Sequence, residues 1–489
     1  MSGQSEYPAG PACLGVRRHP AIGIRIPELF LPGILSACSQ RNTATGLMLS
    51  FGRETAPEEV IDAKPGAWEI TRGHTGTSIR KYMTMGASEA TKAGVTAEIE
   101  ADHLIVIGSA DAAVKRIAGH HVAHHISPEE LQASLEYNWA AIDEAAETGV
   151  VGCFTTDTSD LFWLDADRLG EEQVRSEFAE QYDAQAAAEL LQRYAQPQSF
   201  PAAYGDPVTV TLSPLEAMRL ALKFRESLRI NADIYRYCAE KLGDRPFSFE
   251  ISLDETEAMT SPHETLFYLT EWKALGLPCH YFAPNIGFAK RADFTGDMEA
   301  LRSRVKQHHA IAQGVFGAML SIHSGSGTTP YSGKGEGTYE AVLAGAGGSV
   351  KYKISGVYFE LLMELLAAQS AESEGRKIYD RIFDAVLQLT RDEVAQGGPL
   401  AQPLLIRQLE EYDRQIAHDP KMKRDPRADF FRFTSYLALN MRDENGKRYF
   451  REALVEFVQS DEAFRATHDH EVGALTLRLI DGLDFANNL

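Results

Sequence analysis

The sequence predicts an α/β fold, a TIM-like (β/α)8 barrel with a helical insertion and a C-terminal helical layer. The chain has 489 residues, of which 44% are hydrophobic and 24% charged, which is too apolar for a disordered chain. Its length fits a barrel of about 250 residues with helical additions. Short apolar runs alternate with helical patterns, and within several runs polar residues alternate with apolar ones.

Eight short apolar runs predict the barrel strands. They are residues 47–51, 68–71, 103–107, 150–155, 247–253, 280–283, 318–323 and 349–354. A further run at 208–212 competes for a place in the sheet. It directly precedes a helix predicted over Pro214–Leu242, for which Ser213 is a suitable N-cap followed by proline at the first helical position.

The chain divides into a lead-in, a barrel and a helical extension. Residues 1–45 are rich in glycine and proline and predict an irregular N-terminal lead-in. The catalytic barrel is expected over residues 46–371, with a helical insertion near 160–200 in the long gap between the fourth and fifth predicted strands. Residues 372–489 show few strand patterns and predict a helical C-terminal extension.

Charge and cysteine content exclude several classes of function. The 48 basic and 69 acidic residues give a net charge of −21, which repels phosphate backbones and disfavours nucleic acid as a main partner. No apolar stretch has the roughly 18 residues of a membrane span, and the first residues lack the apolar core of a secretory signal, so a cytoplasmic location without membrane partners is expected. The 5 cysteines form no CxxC pair, which disfavours a disulfide framework or a cysteine zinc site.

Three predicted strands place polar side chains on the face that a barrel turns inward. These sets are Glu250, Ser252 and Asp254; Ser321 and His323; and Lys351, Lys353 and Ser355. Burying such groups costs several kcal/mol each unless they are paired or bind a metal. A structural salt-bridge core is one interpretation. We favour a catalytic interior, because barrel active sites lie at the carboxyl ends of the strands.

The strand ends also offer metal ligands. His323, Asp254 and Glu255 fall at such ends, and Asp157 and Asp160 follow the run at 150–155. Carboxylates and an imidazole from different strands suit a divalent ion. No HExxH spacing supports the site locally, so this hypothesis depends on the predicted fold.

Two other signals carry less weight. The glycine-rich segment 324–338 is not a P-loop, since Gly335 follows Lys334 where serine or threonine is required. It reads as a flexible exit loop, whose backbone amides could still bind a carboxylate. Two histidine groups, without accompanying carboxylates, are interpreted as solvated helix faces. They are His120, His121, His124 and His125, and the pair His308 and His309.

An ordered set of motifs resembles the tagaturonate epimerases, also called hexuronate C4-epimerases. The resemblance covers roughly residues 95–360 and, more loosely, GKRYFREALVEF near the C-terminus. The motifs are ADHL (101–104), TTDTSD (155–160), FEISLDETEAMTSP (249–262), APNIGFAKRADFTGD (283–297), SIHSGSG (321–327) and KISG (353–356).

The resemblance implies roles for nine residues, to which strand alternation adds Ser321, and it implies a divalent metal cofactor, Mn, Co, Ni or Zn. The implied set is catalytic Glu250, Lys353 and Asp157; substrate-binding Asp102, His103, Lys290 and Ser321; and metal-binding Glu255, Asp254 and His323. The chain departs from the family pattern at Ile105 and Val106, where Lys-Thr is usual, and at Lys351 and Arg432, where histidines are expected. These departures favour, as an alternative, a metal-dependent aldolase or isomerase of another sugar acid.

The reaction implied is interconversion of D-tagaturonate and D-fructuronate, which differ at a hydroxyl-bearing carbon β to the ketone. That carbon has no acidic proton, so retro-aldol cleavage and re-addition is the expected route, with a metal on the ketone and Glu250 as base. Lys353 or Lys290 would bind the substrate carboxylate, and Lys353 could instead be an acid catalyst. A transient oxidation is disfavoured because no GxGxxG follows a strand.

A binding protein without catalytic activity is a further alternative, and the expected partners can be stated. A non-catalytic sugar-acid-binding homologue is conceivable, although the retained Glu250, Glu255, His323 and Lys353 argue against it. The expected partner is a small sugar acid, and association into a homo-oligomer is left open.

Overall fold

A computed structural model describes residues 8–61, 63, 74–108 and 126–489. Eight parallel strands form a closed barrel in which each strand pairs with its neighbours in chain order and the last pairs with the first. The predicted (β/α)8 fold is thereby confirmed. The strands are β1 (His19–Gly23), β2 (Thr45–Ser50), β3 (Thr96–Ile105), β4 (Val151–Asp157), β5 (Ser248–Leu253), β6 (Tyr281–Pro284), β7 (Met319–Ile322) and β8 (Val350–Ile354).

Seven of the eight predicted runs overlap barrel strands, from β2 to β8. The run at 68–71 lies outside the described residues. The run at 103–107 was placed too late, because β3 begins at Thr96. The competing run at 208–212 is not in the barrel, and its first residues pair with Gln198–Phe200 in a separate antiparallel hairpin.

The first barrel strand corrects the irregular lead-in predicted for residues 1–45. β1 has the sequence HPAIG, and all five of its residues are buried. Proline and glycine have low strand propensity, so this segment does not look like a strand in sequence. Its place between β8 and β2 is set by closure of the barrel. A helix over Pro27–Gln40 follows within the same segment. The domain boundaries themselves stay predictions.

Helices surround the barrel and form the insertion and the C-terminal region. Two short helices, Glu58–Ile61 and Asp429–Thr434, accompany the longer ones. The longer helices are α1 (Pro27–Gln40), α2 (Ile79–Ala93), α3 (Pro128–Glu147), α4 (Glu171–Gln181), α5 (Ala184–Arg193), α6 (Pro214–Leu242), α7 (Pro262–Ala274), α8 (Met298–Phe316), α9 (Thr338–Gly345), α10 (Val357–Ala367), α11 (Glu374–Gln396), α12 (Pro403–His418), α13 (Tyr449–Ser460) and α14 (Glu462–Gly482).

Local sequence fixes where several helices begin. The Ser213 hydroxyl accepts a hydrogen bond from the Glu216 amide in a capping box, with Pro214 as the first residue of α6. Ser261 caps α7 in the same way, so the motif at 249–262 runs from barrel strand to helix start. Across the described ranges, no helix combines the length and apolar content needed to cross a bilayer.

The C-terminal helix packs on the first βα unit. α14 lies against α1, where a Cβ on Gly33 would come 2.7 Å from the Val472 Cβ. This close approach requires glycine at position 33. The last helix therefore covers the start of the barrel, so residues 27–40 and 462–482 share one apolar layer.

Candidate active site

Ion pairs occupy two successive layers of side chains in the barrel interior. The Lys351 ammonium lies 2.6 Å from Glu100 Oε2 and 3.0 Å from Glu250 Oε2. One layer nearer the carboxyl ends of the strands, Lys353 Nζ lies 2.6 Å from Asp102 Oδ1 and 2.8 Å from Glu250 Oε1. Glu250 therefore bridges two lysines that strand alternation places on the same inward face, and none of the five side chains is more than 8% exposed.

The array keeps its members charged. Burial raises the pKa of Glu250, but the Lys351 and Lys353 ammonium groups outweigh it and hold that pKa well below its ordinary value. Burial lowers the pKa of Lys353, but Asp102 and Glu250 outweigh it, so the pKa lies above its usual range. The barrel thus carries fixed charges of both signs up to its carboxyl end.

His323 stands between two carboxylates at the end of β7. Its Nε2 lies 2.6 Å from Glu250 Oε1, and its Nδ1 lies 3.1 Å from Asp254 Oδ1. Burial lowers the pKa of His323, but Asp254 and Glu250 outweigh it and raise the pKa to about 9. Binding of a metal would therefore displace a proton from this ring.

A bulge in β3 aims two further residues at the same place. The register with β4 shifts between Ala101 and Leu104, so Asp102 and His103 together oppose the single residue Thr155. His103 has a φ of 47°, in the left-handed region that non-glycine residues rarely adopt. This conformation brings the His103 ring centroid to 4.9 Å from that of His323.

Arg53, which lies beyond the end of β2, organises the acidic residues on the rim. Its guanidinium lies 2.9 Å from Glu255 Oε1 and 2.8 Å from Asp157 Oδ2. Lys290 lies 3.1 Å from the same Glu255 carboxylate. The sequence interpretation missed Arg53, although its position just past the run at 47–51 was an available signal.

A cavity of about 150 Å³ opens at the carboxyl ends of the strands, as predicted for a barrel enzyme. Glu250, Asp157 and Ser321 do not line it, and all three side chains are fully buried. Seven of the ten predicted site residues line the cavity: Asp102, His103, Asp254, Glu255, Lys290, His323 and Lys353. Missed residues that line it include Arg25, Arg53, Glu54 and Arg291.

The donor atoms on the rim suit a divalent metal. One ligand atom each from His103, Asp254 and His323 lie within 4.8 Å of one another, and His103, Asp157 and Glu255 form a second such group. The Nδ1 atoms of both histidines are buried and face carboxylates without a well-directed hydrogen bond, at 3.1 Å from Asp254 Oδ1 for His323 and 3.7 Å from Asp157 Oδ2 for His103. Imidazole nitrogen with carboxylate oxygen is a donor set for zinc, manganese, cobalt or nickel.

Two other acidic groups lie deeper in the barrel and fit a metal less well. They are His19 with Glu98 and Glu100, and Glu100 with Cys153 and Glu250. The Lys351 ammonium already lies 2.6 Å from Glu100 and 3.0 Å from Glu250, so a cation occupies that layer. The rim is therefore the better candidate.

The remaining sequence signals have structural roles or lie outside the described residues. The solvated-face interpretation is wrong for His308, which is fully buried with its Nδ1 2.8 Å from the Thr265 hydroxyl. The cluster at 120–125 lies outside the described residues. Lys334, in the glycine-rich segment, is buried and donates to the carbonyl of Ser326, tying two parts of that loop together.

Comparisons with known proteins agree with this architecture. A family model described as tagaturonate epimerase matches residues 137–471. A tagaturonate/fructuronate epimerase of Thermotoga maritima is 31% identical over 140 residues, an alignment that spans 28% of this chain and only 27% of that relative.

Solved structures show the same fold. A glycerol-complexed crystal structure of the fructuronate-tagaturonate epimerase from Cohnella laeviribosi superposes with a TM-score of 0.65, and the native structure of that protein gives 0.62. Both alignments have 19% sequence identity, and each spans 97% of this chain and 83% of the Cohnella chain. Because the family match extends over residues 137–471, more than half of the 489-residue chain, the chain belongs to the tagaturonate epimerase family.

Proposed function

We propose that the protein is a metal-dependent epimerase that interconverts keto-hexuronates of the tagaturonate and fructuronate type. The observation that carries the proposal is the convergence of His103, Asp254 and His323 beside the Lys353–Asp102 ion pair in one cavity. Family membership and the activity for which the relatives are named support the choice of substrate.

His103, Asp254 and His323 would hold the ion, with Glu255 of the second group near by. A bound divalent ion supplies Lewis acidity toward a ketone and its neighbouring hydroxyl. Glu250 accepts from Nε2 of His323, which fixes the ring and leaves Nδ1 as the ligand atom. Glu250 is therefore proposed to position His323.

Proton transfer falls to residues that line the cavity. Asp102 does so, whereas the predicted base Glu250 is fully buried and bonded to two lysines. Burial raises the pKa of Asp102, but Lys353 outweighs it and lowers the pKa to about 2, so the carboxylate is ionised. We assign Asp102 as the base for the substrate hydroxyl and Lys353 as the cation that stabilises the developing oxyanion.

In the proposed route Asp102 takes the proton of the hydroxyl on the carbon β to the ketone. The bond between the α and β carbons breaks, giving an aldehyde and an enediolate. The aldehyde turns its other face, the bond forms again, and Asp102 returns the proton to the new alkoxide. No atom is gained or lost.

Carbon-13 NMR of D-tagaturonate with metal-loaded protein tests the function. We expect D-fructuronate to accumulate to a fixed ratio, and the same ratio to be reached from the other side. Chelation should stop the reaction, and Mn²⁺, Co²⁺, Ni²⁺ or Zn²⁺ should restore it. Full activity in protein shown by elemental analysis to be metal-free would contradict the metal role, and no interconversion in loaded protein would contradict the activity.

An aldolase or isomerase acting on another sugar acid is the second candidate. Lys351 favours it, because this residue binds Glu100 and Glu250 where the family pattern has a histidine. The discriminating observation is release of a free aldehyde fragment, or turnover of a different sugar acid, in a panel of hexuronates assayed in parallel.

A further inference from the structure

We propose that Arg291 binds the carboxylate of the sugar acid and that Gly356 and Arg432 position it. This inference rests on the proposed function for the identity of the ligand. It revises the expectation that Lys353 or Lys290 takes that role.

The competing cations are already engaged with protein carboxylates. A cation that neutralises a nearby carboxylate has less to offer a ligand than one without a close anion. Each of the others lies within 3.1 Å of a carboxylate oxygen: Arg25 with Glu54, Arg53 with Glu255, Lys290 with Glu255 and Lys353 with Asp102.

Arg291 lines the same cavity, but its ion pair with a carboxylate is longer and is shared with Arg432. Its Nε lies 3.5 Å from Glu360 Oε1, and the other oxygen of that carboxylate is 3.0 Å from Arg432 Nε. The Arg291 side chain is 10% exposed, and its Nη1 is buried without a hydrogen-bond partner. A guanidinium has five donors in a fixed fork, so this one retains donors for a planar anion.

The surroundings hold the guanidinium in place. Arg291 has a φ of 55°, and its carbonyl accepts a hydrogen bond of 2.9 Å from Arg432 Nη2. The ring centroid of Phe433 lies 5.4 Å from the guanidinium carbon. A Cβ on Gly356 would come 3.0 Å from Arg291 Nη2, so glycine lets the fork lie against the backbone.

This arrangement predicts selection for an acid over the corresponding alcohol. A carboxylate accepts two parallel hydrogen bonds from a guanidinium, and a rigid fork loses little entropy on binding. A neutral sugar would leave the remaining donors of this desolvated guanidinium without an anion. Gly356 in the KISG motif and Arg432 both contact Arg291, so one role, the positioning of this guanidinium, accounts for both residues.

Calorimetry with two non-reacting probes on the metal-loaded protein tests the assignment. D-gluconate carries a carboxylate, and D-glucitol is the matched alcohol. We expect the wild type to bind gluconate at least tenfold more tightly than glucitol. Arg291→Gln should lose roughly tenfold to a hundredfold in gluconate affinity, with glucitol affinity within about twofold. The exposed Arg414→Gln is the control and should match the wild type.

Gly356→Ala perturbs the same contact from the other side. Its φ of −57° and ψ of −24° are helical, so alanine fits the backbone while its Cβ displaces Arg291. We expect a smaller loss of the preference for gluconate, and the same for Arg291→Lys, which keeps charge but not the fork. These two variants decide the matter if circular dichroism shows that Arg291→Gln does not fold.

The proposal is overturned if the wild type has no preference for gluconate, or if the folded variants keep the wild-type preference within twofold. Its failure is distinguishable from failure of the proposed function. Arg291-dependent gluconate binding without epimerisation leaves the inference standing and removes the activity. Epimerisation by the wild type together with unchanged gluconate binding in the variants would support the activity and overturn the role of Arg291.

Discussion

At the scale of single residues, we propose different roles for neighbouring side chains in the barrel. His323 and Lys353 both contact Glu250, at 2.6 and 2.8 Å, yet an imidazole can ligate a metal and an ammonium cannot. Their substitution should therefore separate metal binding from turnover.

His323→Ala should lose the bound metal and, with it, activity, since it removes one of the three proposed rim ligands. Metal stoichiometry by plasma mass spectrometry and kcat/KM are the paired measurements. The exposed His470→Ala is the control and should keep both. Full metal occupancy in His323→Ala would show that the ligand assignment is wrong.

Lys353→Met should keep the metal but lose roughly a hundredfold or more in kcat/KM, because the charge beside the reacting oxygen is gone. Breaking the buried pairs with Asp102 and Glu250 should also lower the free energy of unfolding by about 3–5 kcal/mol. If kcat/KM stays near the wild-type value while stability falls, Lys353 belongs to a structural ion-pair core.

Glu98, deep in the barrel, predicts a dependence of stability on pH. It is fully buried, and its Oε1 accepts from the Leu14 amide at 2.7 Å and the Ser248 hydroxyl at 3.0 Å. Burial, which outweighs Lys351, raises its pKa to about 8. The folded state therefore binds this proton more tightly than the unfolded chain, and the stability it contributes is lost as pH rises from about 4.5 to 8.

Glu98→Gln should remove that loss. The free energy of unfolding of the variant, relative to that of the wild type, should increase between pH 5 and 8 by at most about 1.4 kcal/mol per pH unit. Urea denaturation at several pH values measures it, with the exposed Glu180→Gln as the control. A constant difference across this range would mean that the Glu98 carboxyl does not titrate there.

At the scale of elements, the packing of α14 on α1 can be probed at two glycines of one interface. A Cβ on Gly33 would meet Val472 at 2.7 Å, whereas a Cβ on Gly473 would meet only the Gly33 carbonyl oxygen at 3.5 Å. Gly33→Ala should destabilise by about 1–3 kcal/mol through overpacking. Gly473→Ala should be neutral or stabilise by about 0.5–1 kcal/mol, because alanine favours the helix. Equal melting temperatures for the two variants would contradict this packing.

Elements also show what the sequence could predict. The inward faces of β5, β7 and β8 follow from alternation alone, which is why Glu250, His323 and Lys353 were found. The bulge that turns His103 toward His323 depends on the register between β3 and β4, which local sequence does not encode. Likewise, β1 owes its place to the strands on either side of it.

At the scale of the whole molecule, closure of the barrel joins residues that are far apart in the chain. Arg53 and Glu255 are separated by 202 positions, and Lys353 and Asp102 by 251. A single sequence gives no sign of such pairs, so the partners of the predicted residues and the role of Arg291 are visible only in the structure. The C-terminal region contributes as well, since Arg432 holds the Arg291 backbone.

We propose that this assembled site breaks and remakes a carbon–carbon bond. Its most direct test is conversion of D-tagaturonate by the metal-loaded protein in D₂O, with the product analysed by proton NMR and mass spectrometry. Retro-aldol cleavage keeps the hydrogen on the aldehyde carbon, so we predict D-fructuronate with no deuterium at the epimerised carbon. Rapid uptake of deuterium at that carbon during turnover would contradict retro-aldol cleavage.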